Sequence, residues 1–241
     1  MGVNQMTTTH SPMIAEQLKS IHTRLRLAMN GVISASMREK GIRYRLNFGV
    51  PLPEIRAIAA AYTPDAGLAA ALWKEDIREF KILATLLQPS ASFTNEEAVA
   101  WVKEIPYPEI AEQASRNLFS KMEAPDLLAD RLFLLSANEA YPYLRPVAFL
   151  TLAQWLAAGH TLAETARDGL RAEALRTLTG EVREASWAEK QAAVLALRYY
   201  GRTSEAAAAK VLGWLAEFPD QGNPEQQEFY KELKFEFEYS R

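Results

Sequence analysis

Apolar residues along this chain recur at the i, i+3, i+4, i+7 spacing of packed helices. No stretch sustains the apolar–polar alternation of a half-buried strand. The spacing predicts helices near 12–28, 31–40, 53–62, 65–74, 77–88, 95–105, 108–121, 125–137, 141–158, 162–178, 182–200, 204–217 and 224–238. Several are apolar on more than one side. Ile77, Phe80, Ile82, Leu83, Leu86 and Leu87 are an example, and a helix of that kind is sandwiched between others. Local punctuation agrees. Thr94-Asn95-Glu96-Glu97 and Thr161-Leu162-Ala163-Glu164 read as capping boxes, in which hydroxyl and carboxylate each satisfy an orphan amide at a helix start. Pro53, Pro64, Pro125 and Pro224 sit near predicted helix starts, and Gly41, Gly159 and Gly201 just past predicted ends, the positions these residues favour.

Most predicted connections are a few residues long, so successive helices should be antiparallel neighbours. Helix pairs return at roughly 35–45 residues, the period of HEAT-type repeats. The expected fold is therefore all-α, an α-α superhelix: a HEAT-like or ARM-type solenoid of antiparallel helix pairs. A globular multi-helix bundle is the second reading. No Gly/Ser-rich, Pro-rich or low-complexity linker divides the chain. The expected organisation is a flexible tail over 1–11 and one solenoid domain over 12–241, because stacked repeats share faces with their neighbours.

Composition narrows the chemistry. Apolar residues make up 49 % of the 241, enough to exclude a wholly disordered chain. There is no cysteine, which excludes disulfides, thiolate metal sites and cysteine nucleophiles. His10, His22 and His160 are the only histidines and lie far apart, so no metal site is expected. No GxxxxGK[ST] or GxGxxG loop occurs, so no nucleotide or other cofactor is expected. The longest nearly apolar run, 147–158, falls short of the ~20 residues that span a bilayer. Residues 1–11 resemble no leader peptide, and Met6 stands where a myristoylation motif needs Ser or Thr. The expectation is a cytoplasmic protein without a membrane partner.

The formal net charge of −3 gives no support to a nucleic-acid partner, but its distribution does. Between Lys19 and Arg56 eight bases face only Glu39 and Glu54, a balance of +6. From Glu217 to Arg241 seven acids face three bases, a balance of −4. That asymmetry suggests an anion-facing N-terminal region and an acidic final helix facing away. The stretch 37–51, MREKGIRYRLNFGVP, concentrates Arg38, Lys40, Arg43 and Arg45 with two aromatics and two glycines in an interhelical loop. Such bases neutralise phosphates. Tyr44 and Phe48 read more simply as buried packing residues.

Phe48-Gly49-Val50 followed by Leu52-Pro53-Glu54-Ile55-Arg56-Ala57-Ile58-Ala59 resembles the opening signature of the DNA alkylation repair proteins of the AlkD type. Leu68-Ala69, Leu72-Trp73 and Ile77-Arg78-Glu79-Phe80-Lys81-Ile82-Leu83-Ala84 follow at the expected distance. Trp101–Ile105 and Ala192–Arg198 echo later helices more weakly. The resemblance covers roughly 15–215. It implies a stack of HEAT-like helix pairs holding duplex DNA on a concave basic face, and a glycosylase that releases cationic N-alkylated purines. In such an enzyme a carboxylate stabilises positive charge developing on the sugar, and an arginine holds the backbone phosphate.

Carried over position by position, the resemblance puts Glu112 at the catalytic carboxylate and Arg145 at the phosphate arginine. The two positions of family indoles are Pro108 and Leu195, with Tyr107 one residue from the first as an aromatic substitute. Trp73, Trp101, Trp155 and Trp214 occupy apolar-periodic positions and read as core. Trp187, near Arg183 and Lys190, is the tryptophan to test for exposure. The candidate DNA-binding set is thus Arg38, Lys40, Arg43, Arg45, Tyr107, Arg145, Trp187, Lys190 and Arg198. A non-catalytic DNA-binding or protein-interaction scaffold, with a protein partner the sequence does not identify, is the alternative.

Overall fold

The computed structural model describes residues 12–137, 141–181 and 185–239. The expected tail, 1–11, and Arg183 lie outside these. Among the described residues the chain is helical throughout and has no strand; Leu46 and Ile77 make one isolated parallel bridge. The chain divides into two compact units, Met1–Pro89 and Ser90–Arg241.

The first unit holds α1 (Pro12–Leu27), α2 (Gly31–Glu39), α3 (Leu52–Ala59), α4 (Ala66–Trp73) and α5 (Arg78–Leu87). Asn30 and Asp65 cap α2 and α4 with their side chains, a role in which a short polar acceptor stabilises a helix by ~1 kcal/mol. Ile21, Leu25, Ile55, Leu68, Leu72, Ile82 and Leu83 are wholly buried. α5 also buries charge. Arg78, Glu79 and Lys81 are inside with the apolar residues around them. Lys81 Nζ donates to the Trp73 carbonyl at 2.5 Å and lies 4.6 Å from the centre of its ring. The charged positions in the family-like block 77–84 are therefore part of the interior.

The second unit runs α6 (Asn95–Lys103), α7 (Pro108–Asn117), α8 (Pro125–Ser136), α9 (Leu144–Ala157), α10 (Glu164–Thr179), α11 (Trp187–Gly201), α12 (Glu205–Trp214), the single turn α13 (Phe218–Gln221) and α14 (Pro224–Tyr239). α9 is its centre, packed by α7, α8 and α11. Ten of its fourteen residues are buried, among them Phe149 and Leu144. Burying one such side chain is worth ~1.5–3 kcal/mol, so α9 organises the unit.

Three local expectations are corrected. The Thr94–Glu97 capping box forms, with both reciprocal bonds, but the Thr161–Glu164 box does not. α10 begins at Glu164 with Ala163 at the cap, and the Glu164 carboxylate instead meets Arg167 at 3.1 Å. The segment expected as one helix over 108–121 stops at Asn117, and a separate 3₁₀ turn, Phe119–Lys121, follows. Gly201 does not terminate its helix. It lies inside the last turn of α11, where a Cβ would overlap the Phe237 ring. Its value is the close approach of α14.

Candidate nucleic-acid interface

In the first unit the loop between α2 and α3 is held in place by a buried carboxylate. Glu79, fully enclosed, accepts the backbone N–H groups of Phe48 and Val50, both at 3.2 Å, and Arg78 Nη1 at 3.0 Å. Arg78 also donates to the Val50 carbonyl at 2.9 Å. Asn30 N–H donates to the Phe48 carbonyl at 2.8 Å, and Ser34 Oγ to the Asn47 carbonyl at 2.8 Å. Gly49 has φ 69°, and a Cβ there would strike the Asn30 carbonyl and the Ser34 amide. The FGV signature is thus a backbone requirement. Phe48 is buried, as expected of a packing residue, with the His22 ring edge-on 5.3 Å away.

On this frame Arg38, Arg43 and Arg45 line one cleft of about 560 Å³ with Ser34, Tyr44 and Asn47. All three arginines are exposed. Arg45 also meets Glu75 at 2.5 Å, an exposed pair of the kind that contributes little to stability and is open to exchange. Lys40 caps the end of α2 in solvent, outside the cleft lining.

The second unit has a cleft of about 360 Å³ bounded by α7, α9, α11 and α14. It brings together several residues singled out from the sequence: Glu112, Trp187 and Arg198, with Pro108 and Leu195 in the two indole positions. Trp187 is 64 % exposed, in the first turn of α11, with its ring 6.1 Å from that of Phe229. The pKa of Glu112 is raised. Burial by the surrounding walls is the main cause, the nearby Glu109 charge adds to it, and Arg116 opposes it. Tyr107 is the residue before α7 and is half-buried. Its phenol, after burial itself, helps to raise the pKa of Tyr143.

Arg145 is elsewhere. It is 5 % exposed, and its guanidinium is consumed inside the unit. Nη2 lies 2.7 Å from Glu173 Oε2 and donates to Thr177 Oγ1 at 2.8 Å, while Nε meets Glu189 at 2.9 Å. Nη1 donates to Ser136 Oγ at 3.3 Å. The expected phosphate arginine is thus corrected to a structural tie among α8, α9, α10 and α11. The reason is helical phase. Tyr143, Pro146 and Leu150 form the stripe that lines the cleft. Arg145, two residues from Tyr143, points to the opposite side at ~100° per residue. Tyr143 is the cleft residue the sequence reading passed over, and this stripe is the signal that marks it.

The final helix does not face away from the bases. α14 packs on α11 and α12 through Phe229, Leu233 and Phe237. Its acids meet the bases of α11 and its C-cap: Glu225 pairs with Lys190, Glu232 with Arg198, and Glu236 with the capping Arg202 at 3.4 Å. Lys190 and Arg198, both expected at DNA, are therefore engaged by carboxylates, and Glu232 itself lines the cleft.

Among the described residues no helix is long and apolar enough to cross a membrane, and no group of three or more histidines or acids could hold a metal ion. No curated protein matches the chain. A solved structure described as "a new family of proteins related to the HEAT-like repeat DNA glycosylases with affinity for branched DNA structures" superposes with a TM-score of 0.72. The match covers 90 % of this chain and 93 % of that one at 13 % identity. The fold is thus the all-α, α-α superhelix class expected from helix spacing. The family model described as "DNA alkylation repair enzyme" matches residues 21–218, which is most of the chain. The protein belongs to the DNA alkylation repair enzyme family.

Proposed function

We propose that this protein binds DNA, both continuous duplex and branched forms, and does not excise a base itself. The burial of Arg145 carries the reading. The position that the family resemblance assigns to a phosphate clamp is tied to Glu173 and Glu189 in the interior. Pro108 and Leu195 stand where that resemblance places indoles, so no large aromatic face is offered from either position to a cationic sugar. Binding is supported by the exposed Arg43 and Arg45 on the Glu79-held loop and Arg38 at the end of α2, which line one cleft. Affinity of the solved relative for branched DNA extends the substrate class from duplex to branched forms.

A second reading keeps excision, with Glu112 as the carboxylate that stabilises the developing sugar cation. It is favoured by the place of Glu112 in one cleft with Tyr143 and Trp187. It is opposed by Pro108 and Leu195 in the two indole positions and by Arg145 held in the interior. One pair of assays decides. Titration with duplex and four-way-junction DNA at low salt should show binding to both. Incubation with alkylated duplex should release 7-methylguanine no faster than buffer does. Release that vanishes in Glu112→Gln would establish the second reading. Absence of binding to either DNA would overturn the proposal.

A further inference from the structure

The turn joining α1 to α2 exposes three large apolar side chains within six residues: Leu27 at 84 %, Met29 at 58 % and Val32 at 81 %. A single exposed leucine is ordinary. Three on one short turn leave an apolar tip in water. Helical phase explains it. α1 buries Ile21 and Leu25 against its unit, and Leu27, two positions on, lies on the far side.

The tip is rigid. Asn30 Oδ1 accepts from Val32 N–H at 3.1 Å and Ile33 N–H at 3.2 Å, and the Asn30 N–H is fixed on the Phe48 carbonyl. Ser34 ties the start of α2 to Asn47. The apolar tip and the arginine loop are thus parts of one frame. The tip is flanked by charge of one sign: from Gln17 to Arg38 there is no acid, and Lys19, Arg24, Arg26 and Arg38 supply the bases. Arg24 and Arg26 are exposed on the last two turns of α1.

We propose that this turn is a wedge that docks on the open face of a base pair where a DNA duplex is interrupted. An apolar turn flanked along the chain by cations fits a flat apolar face bordered by phosphates, and apolar side chains inserted at base steps are a recurrent device of DNA-bending proteins. In continuous duplex that face is stacked and must first be opened. At a branch point it is already free, so the wedge supplies selectivity for branched DNA without reading sequence. The inference rests on the DNA-binding reading above and names the element that selects the substrate.

The test uses the full chain carrying Leu27→Ser, Met29→Ser and Val32→Ser together. These side chains are exposed, so thermal unfolding should match that of the parent. Affinity is measured for a four-way junction and for continuous duplex of the same length. A 2-aminopurine at the branch point reports stacking. The expected result is a loss of about tenfold or more for the junction, an unchanged duplex affinity, and loss of the fluorescence change at the branch. Equal loss on both DNAs, or no loss on the junction, would overturn the wedge and leave DNA binding intact. Binding of anionic phosphatidylserine vesicles, or self-association, that disappears in the variant while junction affinity stays would assign the turn to a lipid surface or a second copy and also overturn it. Failure of the parent protein to bind any DNA would remove both readings.

Discussion

Arg145 and Glu112 behave differently although family resemblance places both at the same chemistry. Arg145 satisfies two carboxylates inside the second unit. Arg145→Ala would take the guanidinium away from Glu189 and leave Glu173 with Arg176 alone of its two bases, and breaking a buried pair costs about 3–5 kcal/mol. Urea unfolding should show that loss, while DNA affinity of the folded variant stays at the parental value. An affinity loss with unchanged stability would return Arg145 to the interface. Glu112 is at the mouth of the cleft, and its raised pKa means that the folded protein holds the proton more readily than the unfolded chain does. Its contribution is favourable below the ordinary carboxylate range and is lost as pH rises through the raised pKa. Glu112→Gln should therefore melt above the parent at about pH 7 and lose that advantage near about pH 4. A constant difference across that range would exclude the titration. The family resemblance, counted from the 101–105 segment, picked out Glu112, and the cleft of the second unit contains it. Arg145 was legible as a residue and misplaced as a contact, because one position of helical phase, invisible in a motif, decides whether a side chain faces the cleft or the interior.

At the scale of elements, nearly every helix follows from periodicity and caps. What periodicity leaves out is which side chain an end group chooses. Glu164 takes Arg167 in place of Thr161, and Gly201 serves a neighbouring helix in place of its own terminus. The acidic end of the chain shows the same limit. Its charge was legible, but its destination on α11 depends on the Phe229, Leu233 and Phe237 stripe docking there. Those pairs have a functional expectation. Neutralising Glu225, Glu232 and Glu236 together to Gln frees Lys190, Arg198 and Arg202 for phosphates, so DNA affinity should rise severalfold at low salt and the gain should shrink as salt is added. Glu228→Gln, on the exposed side of the same helix, should change affinity far less. Equal gains would mean general repulsion rather than paired bases.

For the whole molecule, the net −3 is the sum of opposites. The first unit, residues 1–89, has 11 Lys and Arg against 7 Asp and Glu, or +4. Residues 90–241 have 16 against 23, or −7. Positive charge is thus concentrated in the smaller unit. Arg43→Gln and Arg45→Gln should each weaken duplex and junction binding alike and lower the salt slope by about 1. A selective loss on one DNA would make them readers of shape instead. Family membership was legible from 48–84 because that block supplies much of the interior of the first unit, where Glu79, Arg78 and Lys81 fix the backbone.

The buried Glu79 has a thermodynamic consequence. The loop it holds, with Asn47, Ser34 and Asn30, gave up its conformational freedom when the chain folded, at ~1–2 kcal/mol of backbone entropy per residue. A ligand arriving at Arg38, Arg43 and Arg45 finds that ordering already done. Calorimetry of DNA binding should accordingly give a heat-capacity change no larger than the contact area explains, without the excess that marks a segment folding on its partner.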